Sequence, residues 1–128
     1  HCGENNLTKY LLKQIESNKK VIIMNSSQKR DFIHVSDLVN AYVLVLKDIK
    51  KFKNFIQVDV ASGKLTTIKN FTDLFIKIFC KNNKPEVVFN NEEIYNVKSN
   101  LNLLKSLGWE NKMYLEKGIS ILYNNNKK

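Results

Sequence analysis

Arginine is almost missing from this 128-residue chain: of its 21 lysine and arginine side chains, a single one is an arginine, Arg30. Glycine is also scarce. The four glycines, Gly3, Gly63, Gly108 and Gly118, lie too far apart to form the glycine-rich loop that cradles the phosphates of a bound nucleotide. These absences exclude a dinucleotide-binding or Walker-type fingerprint from the chain.

Long apolar runs and metal-binding patterns are missing as well. No run approaches the roughly 20 apolar residues that cross a bilayer, and no signal peptide opens the chain, so we expect no membrane partner. Cys2 and Cys80 lack metal-ligand spacing, and a secreted disulfide scaffold would need four or more cysteines. Two reduced thiols predict a cytoplasmic protein, and two lone histidines predict no metal site. The first residue is His1 rather than methionine, which predicts a processed chain, a trimmed chain or a fragment.

The net charge of +9 raises the question of a nucleic-acid partner. The lysines are spread from Lys9 to Lys128 without a basic stripe, and asparagine is almost as common as lysine. Joint enrichment in these two residues follows from an A/T-rich coding sequence without any binding function. We therefore expect no nucleic-acid partner, although a small basic module for RNA or another polyanion remains an alternative.

Hydrophobic periodicity predicts alternating helices and strands, which indicates an α/β or α+β class. Asn6, Ser36 and Thr67 are candidate helix caps, and Gly108 is placed to end a helix. Helices are expected over about residues 7–18, 36–51, 68–80, 101–107 and 115–123, short strands over 21–24, 30–35, 54–62 and 86–89, and a disordered tail over 124–128.

Candidate catalytic residues are few. Tyr123 and Lys127 match the Tyr-x-x-x-Lys pattern of short-chain dehydrogenases, but the three asparagines between them predict a tail without a rigid helix, so we interpret the match as coincidence. Arg30 has two interpretations. A surface arginine paired with a carboxylate contributes at most about 1 kcal/mol, whereas a planar guanidinium can bind two phosphate oxygens at once, which lysine cannot do.

The stretch QKRDFIHVSDLV, residues 28–39, resembles the Arg-Asp-Phe-Ile-His/Tyr-Val-x-Asp-Val motif of the NAD(P)-dependent epimerase/dehydratase family. These extended short-chain dehydrogenases modify nucleotide sugars. Three further stretches resemble blocks of that family in the same order: ENNLTKYLLKQI, FIQVDVASGKLTTIKNFTDLF and NLNLLKSLGWENKMYLEKGI. The four blocks together cover most of the chain.

The resemblance implies part of an enzyme. The family has a Rossmann half, which holds NAD or NADP and the catalytic Tyr-x-x-x-Lys pair, and a smaller C-terminal lobe, which binds the nucleotide diphosphate of the substrate. This chain resembles the second part alone: one C-terminal domain over residues 1–128, with residues 36–62 completing and packing on the missing Rossmann sheet. We therefore expect an inactive chain that forms homo-oligomers or swapped assemblies, and a parent enzyme closer to deoxysugar reductases and synthases than to UDP-galactose epimerases. A structural fragment without ligand binding remains an alternative.

The resemblance also assigns residues to a substrate site. Arg30 would bind the phosphates, and Asn6 and Leu7 would lie at a helix start that meets the nucleotide. Asp31 would order the local backbone. The base pocket would be lined by strand residues Ile22, Ile23 and Met24.

Two departures from the family pattern bear on this site. A second phosphate-binding arginine usually follows the strand that EVVF resembles, but here the sequence reads FNNEEIY, and Glu92 and Glu93 would repel phosphate. Lys98 is a candidate substitute. The usual Gly-x-Gly before the arginine motif is replaced by MNSSQ, and the proline after Leu-Gly-Trp is replaced by Asn111.

Overall fold

The chain folds as a mixed α/β protein in a computed structural model that describes residues 6–52, 55–91 and 99–127. The α/β class predicted from the sequence is confirmed. The helices are α1 (Leu7–Glu16), α2 (Val35–Lys47), α3 (Ile68–Phe79), α4 (Asn102–Ser106) and α5 (Leu115–Asn126), with a 3₁₀ turn at Ile49–Lys51 after α2. The strands are β1 (Val21–Ile23), β2 (Lys29–Asp31), β3 (Leu65–Thr67) and β4 (Val87–Phe89).

The four strands form two separate pairs. β1 runs parallel to β4, with Val21 opposite Val87, and β2 runs antiparallel to β3, with Arg30 opposite Thr66. The hydrogen bonds from Ile68 N–H to the Gln28 carbonyl and from Lys69 N–H to the Ser26 carbonyl extend this second pairing toward the start of α3. The pairing holds the backbone of β2 in place on the surface.

The main core lies between α1, α3, α5 and strand β1. Its centre is the apolar face of α3, where Phe71 and Phe75 are buried and Phe32 stacks on Phe71 with ring centroids 4.2 Å apart. Leu11 and Val21 are fully buried beside them. Since each such side chain contributes about 1.5–3 kcal/mol when buried, this cluster fixes α1 and β1 relative to each other.

A smaller core surrounds Trp109, which is buried as the sequence predicted. The Trp109 indole N–H donates to the backbone carbonyl of Asp37 at 3.3 Å. The Asp37 carboxylate in turn accepts from the backbone N–H groups of Lys112 (3.1 Å) and Met113 (2.8 Å). One acidic residue in the first turn of α2 therefore holds the chain that leads into α5.

Two predictions, the cap of α2 and a strand over 54–62, were wrong. α2 is capped by His34, whose Nδ1 accepts from Ser36 N–H at 3.2 Å, rather than by Ser36. No strand forms over the described part of the predicted strand at 54–62, because it pairs with none of the four described strands. Instead the Asp59 carboxylate accepts from Asn100 N–H at 2.9 Å. The Thr67 cap is confirmed: its hydroxyl accepts from Asn70 N–H.

The prediction of a disordered tail over 124–128 was wrong for residues 124–126, and Lys128 lies outside the described residues. α5 continues through Asn126, and Lys127 places its ammonium 4.5 Å from the ring centroid of Tyr123. Tyr123 also packs edge-on against Phe79, with ring centroids 5.2 Å apart. The contact with Phe79 explains why a run of asparagines stays helical: tertiary packing outweighs weak helix propensity.

Much of α2 presents apolar side chains to solvent. Its exposed hydrophobic residues are Val35, Val39, Tyr42, Val43 and Leu46, and Ile49 continues the same surface into the 3₁₀ turn. A helix with an apolar exposed face usually packs against another surface. Within the described ranges, no helix is long and apolar enough to cross a membrane.

Candidate nucleotide-diphosphate cleft

An open cleft of about 1090 Å³ lies beside α1, strand β1 and the turn that leads into β2. The structure brings together along it all six residues that the sequence assigned to the substrate site: Asn6, Leu7, Ile22, Ile23, Met24 and Arg30. These residues come from two strands, the position that follows β1 and one helix start. The fold therefore creates a common surface for them.

The N-terminus of α1 opens into this cleft. The Asn6 side-chain oxygen accepts from Lys9 N–H at 2.8 Å, and the Asn6 carbonyl accepts from Tyr10 N–H at 3.0 Å. The N–H groups of Leu7 and Thr8 have no hydrogen-bond partner among the residues the structure describes. Two N–H groups at the positive end of a helix dipole, without a partner in the described part of the chain, suit an anionic ligand.

Arg30 is the second cationic element of the cleft. It is exposed in β2, and no carboxylate pairs with its guanidinium within the described ranges. The neighbouring Asp31 carboxylate is occupied, because it accepts from Ser62 N–H at 2.7 Å and Gly63 N–H at 2.9 Å. Asp31 therefore orders the backbone, as expected. The paired-surface interpretation of Arg30 finds no support in these contacts.

Further charges on α1 make the cleft positive. Lys9 and Lys13 line it together with Arg30, and Glu16 is the single carboxylate among its described lining residues. Three cations against one anion leave an excess of two positive charges. A concave surface with such an excess attracts phosphate-bearing ligands. The two lysines were not selected from the sequence, where nothing separates them from the other lysines.

Strand β1 forms the apolar wall. Ile22 and Met24 are 48% and 50% exposed, whereas Ile23 is buried in the main core and reaches the cleft only at its surface. This alternation is the two-residue period of a strand. The hydroxyl of Tyr10 accepts from Ile22 N–H at 2.9 Å and donates to the Ile22 carbonyl at 3.1 Å. Sequence reasoning missed Tyr10, although it lies one helical turn after Asn6.

The turn after β1 explains one departure from the family pattern. Asn25 stands in the left-handed region with φ of 55°, a conformation that asparagine tolerates better than most residues other than glycine. Its carbonyl accepts from Gln28 N–H, and the Asn91 side-chain oxygen accepts from both hydroxyls of Ser26 and Ser27. The MNSSQ stretch therefore builds an ordered turn without glycine.

The other departure is the missing second arginine, in the stretch FNNEEIY. Glu92, Glu93 and Lys98 lie outside the described residues, so the site of the family's second arginine stays without structural description. In the part that is described, Lys9 and Lys13 are the cations available beside Arg30 in the cleft.

The residues that the structure describes do not form a site for a nicotinamide cofactor or a metal. Gly63 and Gly108 adopt positive φ in turns and Gly118 lies inside α5, so none of the described glycines forms a phosphate-binding turn between a strand and a helix. Among residues 6–52, 55–91 and 99–127, no group of three histidine, cysteine or acidic side chains could hold a metal ion.

Comparisons with known proteins agree with the arginine motif. Residues 2–61 match the model of the NAD dependent epimerase/dehydratase family. CDP-abequose synthase of Salmonella muenchen is 30% identical over 113 residues, which cover 86% of this chain and 38% of that protein. The GDP-mannoheptose C4 reductase of Campylobacter jejuni, solved with NADP bound, is 27% identical with a TM-score of 0.72, covering 95% of this chain and 43% of that one.

A more distant structure shares the fold. UDP-glucose 4-epimerase of Thermotoga maritima, solved with UDP-glucose, is 20% identical with a TM-score of 0.72 and covers 98% of this chain and 41% of that one. The chain spans 38% and 42% of the length of the two CDP-abequose synthases that it matches. The chain therefore matches the NAD dependent epimerase/dehydratase family over residues 2–61, and the whole chain shares its fold with the Thermotoga epimerase.

Proposed function

We propose that this chain is the C-terminal, nucleotide-sugar-binding part of an NAD(P)-dependent nucleotide-sugar epimerase, dehydratase or reductase. The observation that carries the proposal is the Arg30 guanidinium, which has no carboxylate partner among the described residues, in a cleft that also contains the start of α1. A diphosphate needs several donors in one place, and this surface supplies them from two different elements.

Each element has a role in this proposal. Arg30 binds two phosphate oxygens through its planar fork. The N–H groups of Leu7 and Thr8 bind a further phosphate oxygen at the helix start. The nucleotide base lies along β1, where Ile22 and Met24 expose apolar surface.

In this proposal, the catalytic reaction takes place in the rest of the parent polypeptide. NAD or NADP and the catalytic tyrosine would be held there, and residues 36–62 would pack on that half; the exposed apolar face of α2 supports this arrangement. The chain alone is then inactive. The parent enzyme would belong to the synthase and reductase branch, and the 30% identity to CDP-abequose synthase supports this choice.

Isothermal titration of the 128-residue chain with CDP and UDP tests the proposal. A charge-assisted hydrogen bond contributes about 1.5–3 kcal/mol, so Arg30→Ala is expected to weaken binding about 10- to 100-fold. Arg30→Lys keeps the positive charge but loses the planar guanidinium, so its nucleotide affinity should lie between those of the wild type and Arg30→Ala. Lys105→Ala, which removes an exposed cation of α4 away from the cleft, serves as the matched control and should change nothing.

Two outcomes would overturn the proposal. Equal affinities of the wild type and Arg30→Ala for both nucleotides would remove Arg30 from the site. Binding to heparin that falls steeply with salt, without measurable binding of either nucleotide, would instead support the polyanion-binding alternative.

A further inference from the structure

The outer edge of β1 offers a nucleotide base two places to hydrogen-bond. β1 pairs with β4 through the neighbouring residues, since Val21 N–H donates to the Glu86 carbonyl and the Ile23 carbonyl accepts from Asn90 N–H. The peptide groups of Ile22 therefore face away from β4. Those of Met24, two residues on, have no hydrogen-bond partner within the described part of the chain.

These two places are not equivalent, because one of them is already filled. The Tyr10 hydroxyl accepts from the N–H of Ile22 and donates to its carbonyl, so both groups are satisfied. A base that presents one donor and one acceptor would need the same two groups. It can take the Ile22 place only by displacing Tyr10 and breaking both of its hydrogen bonds to Ile22.

The spacing of the two places matters for the phosphates. Residues in a strand rise about 3.3 Å each, so a base that moved from Met24 to Ile22 would shift by about 7 Å. Such a shift would carry its diphosphate away from a guanidinium that the β2–β3 pairing holds in place. A nucleotide bound in the shifted position would gain little from Arg30.

We propose that Tyr10 is a specificity-determining residue of the cleft, which closes the Ile22 position to the base and so restricts the nucleotide to one register with its phosphates at Arg30. This inference rests on the proposed function. It concerns a tyrosine whose hydroxyl bonds to the backbone of strand β1, and it assigns this hydroxyl a role distinct from packing.

A double-mutant cycle between Tyr10 and Arg30, read by titration with UDP, tests the inference. Tyr10→Ala opens the Ile22 position, so part of the bound UDP should occupy the shifted register. Arg30→Ala should then weaken UDP binding at least fivefold less in the Tyr10→Ala background than in the wild type. Tyr10→Phe keeps the ring but lacks the hydroxyl that bonds to Ile22. In this background, the loss of UDP affinity caused by Arg30→Ala should be at least twofold smaller than in the wild type. Tyr42→Phe, on the exposed face of α2, is the control and should leave that cost unchanged.

The outcomes separate this inference from the proposed function. If Arg30→Ala costs the same with and without the Tyr10 hydroxyl, Tyr10 only packs, and the inference is wrong while the cleft assignment stands. If the wild-type chain binds no UDP or CDP at all, the proposed function itself fails. Tyr10→Phe preserves the ring contacts with the core, so the cycle can be completed even where Tyr10→Ala does not fold.

Discussion

Asp37 is the position where we expect a single substitution to destabilise the fold most. The residue is 1% exposed, and its carboxylate accepts from Lys112 N–H and Met113 N–H. Asp37→Ala leaves two donors without a partner in a poorly hydrated site, and each unsatisfied group costs about 1–3 kcal/mol. Loss of a carboxylate from the first turn of α2 adds about 0.5 kcal/mol. We expect a total loss of about 2.5–6.5 kcal/mol.

Urea unfolding followed by the fluorescence of Trp109 measures this loss, because the indole N–H itself donates to the Asp37 carbonyl. Both N–H groups donate to the same carboxylate oxygen, Oδ2, so Asp37→Asn keeps an acceptor for both and should lose much less stability than Asp37→Ala. Asp73→Ala removes an exposed carboxylate that pairs with Lys69 on α3, and should cost less than about 1 kcal/mol. A loss for Asp37→Ala no larger than that for Asp73→Ala would refute the reasoning.

Two further predictions concern α2 and Cys80. Because the apolar face of α2 is exposed, we expect the isolated chain to associate. The double variant Val39→Lys/Leu46→Lys should then have a lower average mass in light scattering than the wild type. An unchanged mass would show that the chains associate through another surface. Burial raises the pKa of the Cys80 thiol above its ordinary value of 9.0, while Lys84 acts in the opposite direction. The stability contributed by this protonated thiol is then constant below about pH 8 and falls as pH rises past 9.0. In Cys80→Ser, the free energy of unfolding measured between pH 7 and 10 should no longer show this decrease. The same decrease in the variant would contradict the assignment to Cys80.

The elements that the sequence predicted correctly are those with strong local signals. α3 shows a clear helical period of apolar residues after Thr67, and its bounds lie within one residue of the expected ones. Gly108 adopts a φ of 84° just past α4, where a glycine is expected to end a helix. These features depend on a few neighbouring residues, which a sequence displays directly.

The wrong predictions depend on contacts between distant residues. The 55–62 segment alternates apolar and polar side chains, yet a strand forms only beside a pairing partner, and none of the described strands supplies one. The helical end of α5 depends on the contact of Tyr123 with Phe79, 44 residues earlier in the chain. Neither partner is visible from local pattern.

The candidate site shows the same division. The Arg30 motif and the Asn6 cap could be selected because they are local in sequence. The link from Tyr10 to Ile22 and the positions of Lys9 and Lys13 in the cleft arise from the packing of α1 beside β1. No local sequence feature distinguishes these two lysines from the other eighteen.

Hydrogen exchange of backbone amides with and without saturating UDP or CDP tests most directly whether this cleft is the nucleotide site. We predict slower exchange in peptides that cover the start of α1 and residues 21–31, and unchanged exchange across α2. The effect should disappear in Arg30→Ala at the same nucleotide concentration. Protection confined to α2, or spread evenly over the lysine-rich surface, would contradict the assignment of the cleft.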